Sequence, residues 1–198
     1  MLNVKQIKVE VSNNYKKMGT IEAGGYIWHT TGSGKTMTSF KSAELIAKSG
    51  DADKVIFLLD RIELALQSLD EYRGFAGETD AIQDTADTTV LLSKLKSNDP
   101  DDRLIVTSIQ KMSNIKESAT ISQELIDKIG KKRLVFIIDE CHRSIYGNWK
   151  KVLDYFTTAK MIGLTATPVP ETMAFFNNNR IVNYTLEKSI VDGVNVDC

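Results

Sequence analysis

The sequence predicts an α/β fold, with a mostly parallel sheet flanked by helices on both faces. Two observations support this prediction. Continuous apolar, β-branched runs recur along the chain, as in Lys54–Asp60 (KVIFLLD) and Leu134–Asp139 (LVFIID), and such runs are typical of strands covered on both faces. Stretches with helical spacing of apolar residues separate these runs, and this alternation favours parallel strands joined by crossover helices.

The composition indicates an ordinary globular domain. The chain has 198 residues, of which 42% are hydrophobic and 26% charged, so we expect one domain with a full core. No apolar run is long enough to predict a membrane span, and no apolar signal region precedes the domain, so we expect a cytoplasmic protein without membrane contact. The net charge of −1 allows a basic face, but it predicts weak nucleic-acid binding by this domain alone.

Five strands are predicted, each from a short apolar run. The first precedes a glycine-rich loop, and the strongest precedes a pair of acidic residues. In chain order the predicted strands are Tyr26–Trp28, Lys54–Asp60, Arg103–Thr107, Leu134–Asp139 and Lys160–Thr165.

Helices are predicted where apolar residues recur at helical spacing. In chain order the predicted helices are Lys35–Lys48, Arg61–Tyr72, Thr89–Lys96, Ile121–Ile129 and Trp149–Phe156. Residues 73–87, rich in Gly, Asp and Thr, predict a loop, as does the triplet Asn177–Asn179. Residues 1–20 are polar and without clear period, and we interpret them as a lead-in segment.

The loop between the first strand and the first helix ends like a phosphate-binding loop, although His29 stands where the usual pattern has its first glycine. Glycines there let backbone N–H groups point at phosphate oxygens, and the helix N-terminus adds positive potential. Lys35 can reach the β- and γ-phosphates of ATP, and Thr36 can offer its hydroxyl to Mg²⁺. The predicted phosphate-binding residues are Thr31, Gly32, Ser33, Gly34, Lys35 and Thr36. For His29, packing beside Trp28 and ligand contact remain equal alternatives.

A second motif, Asp139-Glu140-Cys141-His142, follows the strongest predicted strand. It lies at the carboxyl end of that strand, the sheet edge where ligands bind in open α/β folds. Asp139 is placed to hold Mg²⁺ through its water shell, and Glu140 is placed to orient and deprotonate the attacking water. The simpler alternative is a solvated acidic pair, with His142 a surface histidine. The phosphate loop in the same chain favours hydrolysis, and a kinase would need no such glutamate.

A third motif, Gly163–Pro168 (GLTATP), again ends a predicted strand. Thr165 and Thr167 could hydrogen-bond to Glu140 or His142. Alone, two threonines indicate only ordinary β preference. In order with the other two motifs, they predict a part in the same site.

The motifs GSGKT, DECH and TATP, in this order, resemble motifs I, II and III of superfamily 2 helicases and translocases. In detail, residues 20–198 resemble the motor region of type I restriction enzyme R subunits. The matching runs are Gly24–Thr38, Asp60–Leu64 with Gln67, Val106–Met112, Asp139–Ser144 with Tyr146-Gly147, and Tyr184–Gly193. The combination is specific, whereas the phosphate loop alone is not. Ala166 departs from the glycine that is frequent in this branch.

The resemblance implies a RecA-like P-loop NTPase domain, the first of two motor domains with ATP in the cleft between them. It implies an ATP-dependent DNA translocase, part of a type I site-specific deoxyribonuclease, that uses ATP and Mg²⁺ to pump double-stranded DNA before cleavage. Methylation and specificity subunits would be its partners. The resemblance also implies that His142, Thr165 and Thr167 link the state of ATP to DNA movement.

Five further residues fall in motifs that face DNA in related motors. These residues are Arg61, Gln67, Thr107, Gln110 and Lys111. The alternatives are a solvated helix face for Arg61, Gln67 and Lys111, and caps or turns for Thr107 and Gln110.

The expected organisation is a lead-in over residues 1–20, the motor domain over 21–185 and the start of a connection over 186–198. The family's nuclease site has no counterpart in residues 1–20, and its second motor domain, with an arginine finger, would follow residue 198. We therefore expect a fragment that alone binds nucleotide weakly and hydrolyses it very slowly.

Two alternative functions remain. One is another superfamily 2 DNA motor, such as a type III restriction subunit or a repair translocase; the Trp28-His29 pair and the run Asp139–Ser144 favour the type I enzyme instead. The other is a nucleotide-binding interaction module without turnover. Intact Lys35, Thr36, Asp139 and Glu140 disfavour it for the parent protein, whereas it stays open for the fragment in isolation.

Overall fold

A computed structural model describes residues 24–32, 34–59, 88–117, 122–144, 156 and 158–192. Within these residues, six strands form one sheet in the order β3-β2-β4-β5-β1-β6, and each strand runs parallel to its neighbours. The strands are β1 (Gly25–His29), β2 (Lys54–Leu59), β3 (Leu104–Ser108), β4 (Leu134–Ile138), β5 (Lys160–Thr165) and β6 (Arg180–Tyr184).

The described helices connect or follow these strands. They are α1 (Lys35–Ser49), α2 (Thr88–Lys96), α3 (Ile109–Ser113), α4 (Gln123–Gly130), α5 (Cys141–Ser144), α6 (Pro170–Phe175) and α7 (Leu186–Val191). Three of them begin at a hydroxyl cap, because Ser108, Ser122 and Thr185 each accept a hydrogen bond from a backbone N–H of the following first turn. No helix among the described residues is both long and apolar enough to cross a membrane.

The sheet divides the core into two halves, because alternate residues of a strand point to opposite faces. One half packs against α1 and contains Ile27, Val55, Phe57, Val135 and Ile137. The other packs against α2 and α4 and contains Tyr26, Ile56, Leu58, Phe136 and Ile138. Both faces of the sheet are therefore covered, and the predicted fold class is confirmed.

The five predicted strands are present, with ends shifted by one residue at most within the described chain. Three predicted helices are also present as α1, α2 and α4, although α4 begins at Gln123 and not at Ile121. The Asn177–Asn179 triplet forms the predicted turn, in which Asn177 and Asn178 adopt left-handed φ angles of 53° and 56°. The predicted helix Arg61–Tyr72, most of the helix Trp149–Phe156, the loop over 73–87 and the lead-in lie outside the described residues.

Strand β6 is absent from the sequence prediction. Among the described strands it pairs only with β1, at an edge of the sheet, and Val182 is its one buried residue. An edge strand that is covered incompletely lacks the continuous apolar run by which a central strand is recognised. The short helices α3, α5, α6 and α7 were likewise not predicted, since four to six residues carry too little periodicity.

Candidate functional site

The carboxyl ends of β4, β5 and β1, three neighbouring strands, meet at one edge of the sheet. The glycine-rich loop and α1 follow β1, Asp139 and Glu140 follow β4, and Thr165 ends β5. The strand order therefore brings the three sequence motifs side by side.

The glycine-rich loop presents its backbone to solvent. Gly32 and Gly34 are exposed and have left-handed φ angles of 74° and 77°. A Cβ at Gly34 would meet no atom within 4 Å, so the backbone conformation, and not crowding, favours glycine there. Gly34 is also the N-cap of α1, where no side chain caps the helix and no acidic residue occupies the first turn. These first-turn N–H groups suit an anion. Ser33 lies outside the described residues.

Lys35 connects this loop to the second motif. Its side chain is 7% exposed, and its Nζ donates a hydrogen bond to Glu140 Oε1 and lies 3.8 Å from Asp139 Oδ1. The Thr36 hydroxyl donates to Asp139 Oδ2 at 2.8 Å, and the Glu140 N–H donates to Asp139 Oδ1 at 3.0 Å. Burial raises the pKa of Asp139, although the Lys35 charge and the Thr36 hydrogen bond oppose this rise.

Thr36 and Asp139 fit a magnesium ion chemically. Mg²⁺ in nucleotide sites keeps several waters and takes few protein oxygens, often one carboxylate and one hydroxyl. The adjacent Thr36 hydroxyl and Asp139 carboxylate supply that pair. Within the described residues, no three His, Cys, Asp or Glu side chains form a metal-binding cluster, so a cage built from protein side chains alone does not fit this part of the chain.

Glu140 contacts Lys35 of the first motif and lies beside His142 of its own motif. One carboxylate oxygen accepts from Lys35, and the other lies 3.3 Å from His142 Nδ1. Glu140 has a φ of 49°, in the left-handed region that costs a residue with a Cβ about 1–2 kcal/mol. Strained backbone of this kind concentrates at functional sites, where the surrounding structure holds it in place.

His142 contacts Thr165, as the sequence predicted. Its Nδ1 lies 2.9 Å from Thr165 Oγ1. Thr167 does not make the side-chain contact predicted for it with Glu140 or His142. It is exposed and contributes its backbone N–H, which donates to Thr165 Oγ1 at 3.1 Å. The chain bends after β5, at residues 166 and 167, and Thr167 is exposed at this bend.

Trp28 and His29, the last two residues of β1, contact the chain on opposite sides of that strand, at Ala166 after β5 and at Tyr184 on β6. His29 is 1% exposed, and its ring lies 4.8 Å from the ring of Tyr184 on β6. Burial lowers the pKa of His29, and the charge of Lys35 acts in the same direction. The burial of His29 fits the packing alternative, although the ring against which it packs is that of Tyr184. Trp28 donates its indole N–H to the carbonyl of Ala166 at 3.1 Å. The sequence prediction missed this bond, although an indole N–H on a buried strand signals the need for an acceptor.

Of the residues predicted to face DNA, Thr107 does not fit that prediction. It lies on β3 and is fully buried, so its side chain has no access to a nucleic acid. It is not the predicted cap either, because the next residue, Ser108, accepts the hydrogen bond from the Lys111 N–H. Gln110 is exposed and Lys111 is half-buried, both on α3 at the same sheet edge. Arg61 and Gln67 lie outside the described residues.

Comparison with known sequences identifies relatives. The sequence model of a family described as type III restriction enzyme, res subunit, matches residues 2–170. The type I restriction enzyme SsaAORF53P endonuclease subunit of Staphylococcus saprophyticus is 43% identical over 145 residues, 73% of this chain and 15% of the relative. A putative type I restriction enzyme MpnIIP endonuclease subunit, C-terminal part, of Mycoplasma pneumoniae is 37% identical over 147 residues, 74% of this chain and 69% of the relative. The chain thus spans a small share of the staphylococcal relative.

Comparison with solved structures identifies the same fold. A fragment of a putative HsdR subunit of a type I restriction enzyme from Vibrio vulnificus superposes with a TM-score of 0.58 at 23% identity, over 96% of this chain and 30% of that one. A nuclease-deletion mutant of the type ISP enzyme LlaGI, in complex with a DNA substrate mimic, gives 0.65 at 20% identity, over 98% and 20%. The chain therefore belongs to the restriction enzyme res-subunit family, and it is a helicase-like P-loop NTPase domain of a type I restriction enzyme endonuclease subunit.

Proposed function

We propose that this domain binds ATP with Mg²⁺ and hydrolyses it as the first motor domain of a type I restriction endonuclease subunit, and that hydrolysis drives translocation of double-stranded DNA before cleavage. The observation that carries the proposal is the meeting of Lys35, Asp139 and Glu140 at the end of a glycine-rich loop. A cation, a buried carboxylate and a second, more exposed carboxylate are the groups that hydrolysis of a phosphoanhydride requires. We assign residues 21–185 to this motor domain, between the lead-in over 1–20 and the connection over 186–198.

Binding starts at the glycine-rich loop in this proposal. The uncapped first turn of α1 and the backbone of residues 31–34 receive the phosphate oxygens, with Ser33 included on the sequence pattern alone. Lys35 exchanges Glu140 for the β- and γ-phosphates, so ATP binding separates a pair of side chains that now contact each other. Thr36 and Asp139 would hold Mg²⁺, which when bound offsets the negative charge of the phosphates.

Glu140 then acts as the general base. Once Lys35 has moved to phosphate, the Glu140 carboxylate accepts a proton from the water that attacks the γ-phosphorus, and the bond to the β-phosphate oxygen breaks to give ADP and phosphate. His142 lies against the other carboxylate oxygen and against Thr165, so it is in position to transmit the change at Glu140 to the loop after β5.

The partners follow from the family. The type ISP enzyme LlaGI was solved with a DNA substrate mimic, and a second type ISP enzyme with this fold, LlaBIII, was solved bound to DNA, which supports DNA as the track. That the DNA is double-stranded is what the resemblance to type I enzymes implies. Methylation and specificity subunits of a restriction-modification complex would supply sequence recognition, and the complex would act in the cytoplasm. Because the arginine finger belongs to a second motor domain, this domain alone should hydrolyse ATP about 10³–10⁵ times more slowly than the intact motor.

The test is the ATPase activity of the full-length subunit, in its complex, with and without double-stranded DNA. We expect turnover that DNA stimulates, and we expect Glu140→Gln to bind ATP normally but to stop hydrolysis, because the amide cannot accept the proton. Glu124→Gln, at an exposed position of α4, is the matched control and should keep turnover. ATP binding without any turnover by the wild-type complex would instead support the interaction-module alternative, and normal turnover by Glu140→Gln would remove Glu140 as the base.

A further inference from the structure

We propose that Trp28 is a positioning residue that fixes the loop Thr165–Thr167 relative to the phosphate-binding loop, and that its indole N–H sets how tightly ATP hydrolysis is coupled to movement along DNA. The inference rests on the proposed motor function and extends it to a residue outside the three motifs.

The first observation is a closed circuit of contacts. Lys35 pairs with Glu140, Glu140 lies 3.3 Å from His142, and His142 lies 2.9 Å from Thr165. Thr165 continues into Ala166, whose carbonyl accepts the indole N–H of Trp28 at 3.1 Å. From Trp28 the chain runs back through the glycine-rich loop to Lys35. Trp28 is therefore the link that joins the far end of the circuit to its beginning.

The second observation is the register of the two strands. Trp28 stands opposite Thr165 in the parallel pair of β1 and β5. Its indole reaches one residue further, to a carbonyl beyond the end of β5. The sheet ladder ends at Thr165, so the hydrogen bond to the next carbonyl restrains the direction in which the chain leaves the sheet, together with the bond from the Thr167 N–H to Thr165 Oγ1.

The third observation is that Trp28 itself has little freedom. It packs against the half of the core that contains Cys141, the residue between Glu140 and His142. A large rigid ring fixed at its base can hold a loop in place at little cost in side-chain entropy. When Lys35 leaves Glu140 for ATP, Glu140 moves, and its movement is passed to Thr165 through His142. Because the hydrogen bond from Trp28 holds the loop Thr165–Thr167, this loop then moves together with the phosphate-binding loop.

The test uses the full-length subunit in its complex and the variant Trp28→Phe, which keeps an aromatic ring and loses the N–H. We expect the KM for ATP to stay within about twofold, whereas the distance translocated per ATP falls by about threefold to tenfold, the factor that one net hydrogen bond represents. Tyr26→Phe is the matched control, because Tyr26 lies on the same strand and faces the same half of the core. It should keep the wild-type ratio of distance to ATP.

A structural role alone would lower ATPase and translocation together and leave their ratio unchanged, and this outcome overturns the proposal, as does an unaltered Trp28→Phe enzyme. If Trp28→Phe does not fold, site-specific benzothienylalanine at position 28 keeps the bicyclic ring without the N–H, and the same fall in the ratio is expected. A wild-type complex without DNA-stimulated ATPase would contradict the proposed function itself. A coupled wild type with an unaltered variant would contradict only the role of Trp28.

Discussion

Lysines lie at both ends of the parallel strands, and they have different kinds of partner at the carboxyl edge, where the strands end, and at the amino edge, where they begin. At the carboxyl edge, Lys35 is paired with Glu140 and lies near Asp139, and both partners are ionisable. At the amino edge, Lys54 is 1% exposed and donates to the backbone carbonyl of Asp102 at 2.7 Å. Lys132, which is half-buried, donates there to the carbonyls of Lys96 and Ser97, at 3.0 and 2.8 Å, and to the amide oxygen of Asn98 at 3.0 Å.

The difference lies in whether the lysine can give up its present partner for another one, such as a phosphate. A backbone carbonyl is fixed by the fold, so Lys132 acts as a clamp on the C-terminal end of α2. A carboxylate on a side chain can turn away and leave its cation to a phosphate, so the pair of Lys35 and Glu140 is open to competition. The amino edge thus serves stability, and the carboxyl edge is arranged for exchange of partners.

The largest effect should come from removing the cation at the carboxyl edge. Lys35→Ala in the full-length subunit should lower DNA-stimulated ATP turnover by about 10³-fold and abolish restriction with it, because the developing charge on phosphate loses its main side-chain donor. Steady-state ATPase and plasmid restriction assays measure both. Lys48→Ala, at the exposed end of α1, is the control and should retain turnover. If Lys35→Ala lowers ATP turnover by less than tenfold, the proposed difference between a functional carboxyl edge and a stabilising amino edge is wrong.

A smaller effect, on stability, should appear at the amino edge. Burial, helped by the charge of Lys132, lowers the pKa of Lys54 to about 8, whereas a lysine in the unfolded chain has a pKa near 10.5. Between these values the unfolded state holds more protons, so stability attributable to Lys54 rises with pH. Relative to Lys54→Met, the wild type should gain on the order of 2 kcal/mol of unfolding free energy from about pH 7.5 to about pH 10.5.

Urea denaturation of the wild type and of Lys54→Met across that pH range measures the difference in unfolding free energy. Subtracting one from the other removes the contribution of the other titrating groups, which both proteins share. A difference that stays flat with pH would indicate that Lys54 keeps its proton in the folded state, and that the carbonyl of Asp102 stabilises the charge.

The smallest effect belongs to the exposed pair beside it. Arg133 donates from Nε and from a terminal guanidinium nitrogen to Asp53 Oδ1, at 3.0 and 2.6 Å, but both side chains are well exposed, at 45% and 39%. Asp53→Asn should therefore cost no more than about 1 kcal/mol, and less at high salt, because solvent screens the charges. Thermal unfolding at low and high salt measures this. A loss of unfolding free energy that is larger and does not depend on salt would show that the pair stabilises the fold as a buried contact does.

The sequence predicted the central strands well, because their apolar runs are set by burial on both faces. It predicted that β2 and β5 begin at Lys54 and Lys160 but not that both lysines are buried, at 1% exposed, since lysine normally indicates solvent. Whether such a lysine is buried depends on carbonyls brought to it from other elements, such as that of Asp102. The edge strand β6 was not predicted for the opposite reason, because too few of its residues are buried to give it a continuous apolar run.

The residues of the site were predictable, but of their contacts the sequence predicted the one between His142 and Thr165 and missed the one between Trp28 and Ala166. Strand–loop placement sufficed to bring Lys35, Asp139 and Thr165 to one edge. The bond from Trp28 to Ala166 depends on β1 lying beside β5, and no local pattern encodes the order of strands in a sheet. A shift of one position decided the cap of α3, where Ser108 and not Thr107 serves, because alternate strand residues point to opposite faces.

The left-handed backbone at Glu140 has a consequence for which residues evolution can place there. Aspartate and asparagine adopt that conformation more readily than glutamate. Glu140, however, touches Lys35 with one oxygen and approaches His142 with the other, a span that a side chain shorter by one methylene cannot cover from the same Cα. We expect the length of the side chain to decide which residue occupies position 140, so that glutamate is retained although aspartate and asparagine adopt this backbone conformation more readily.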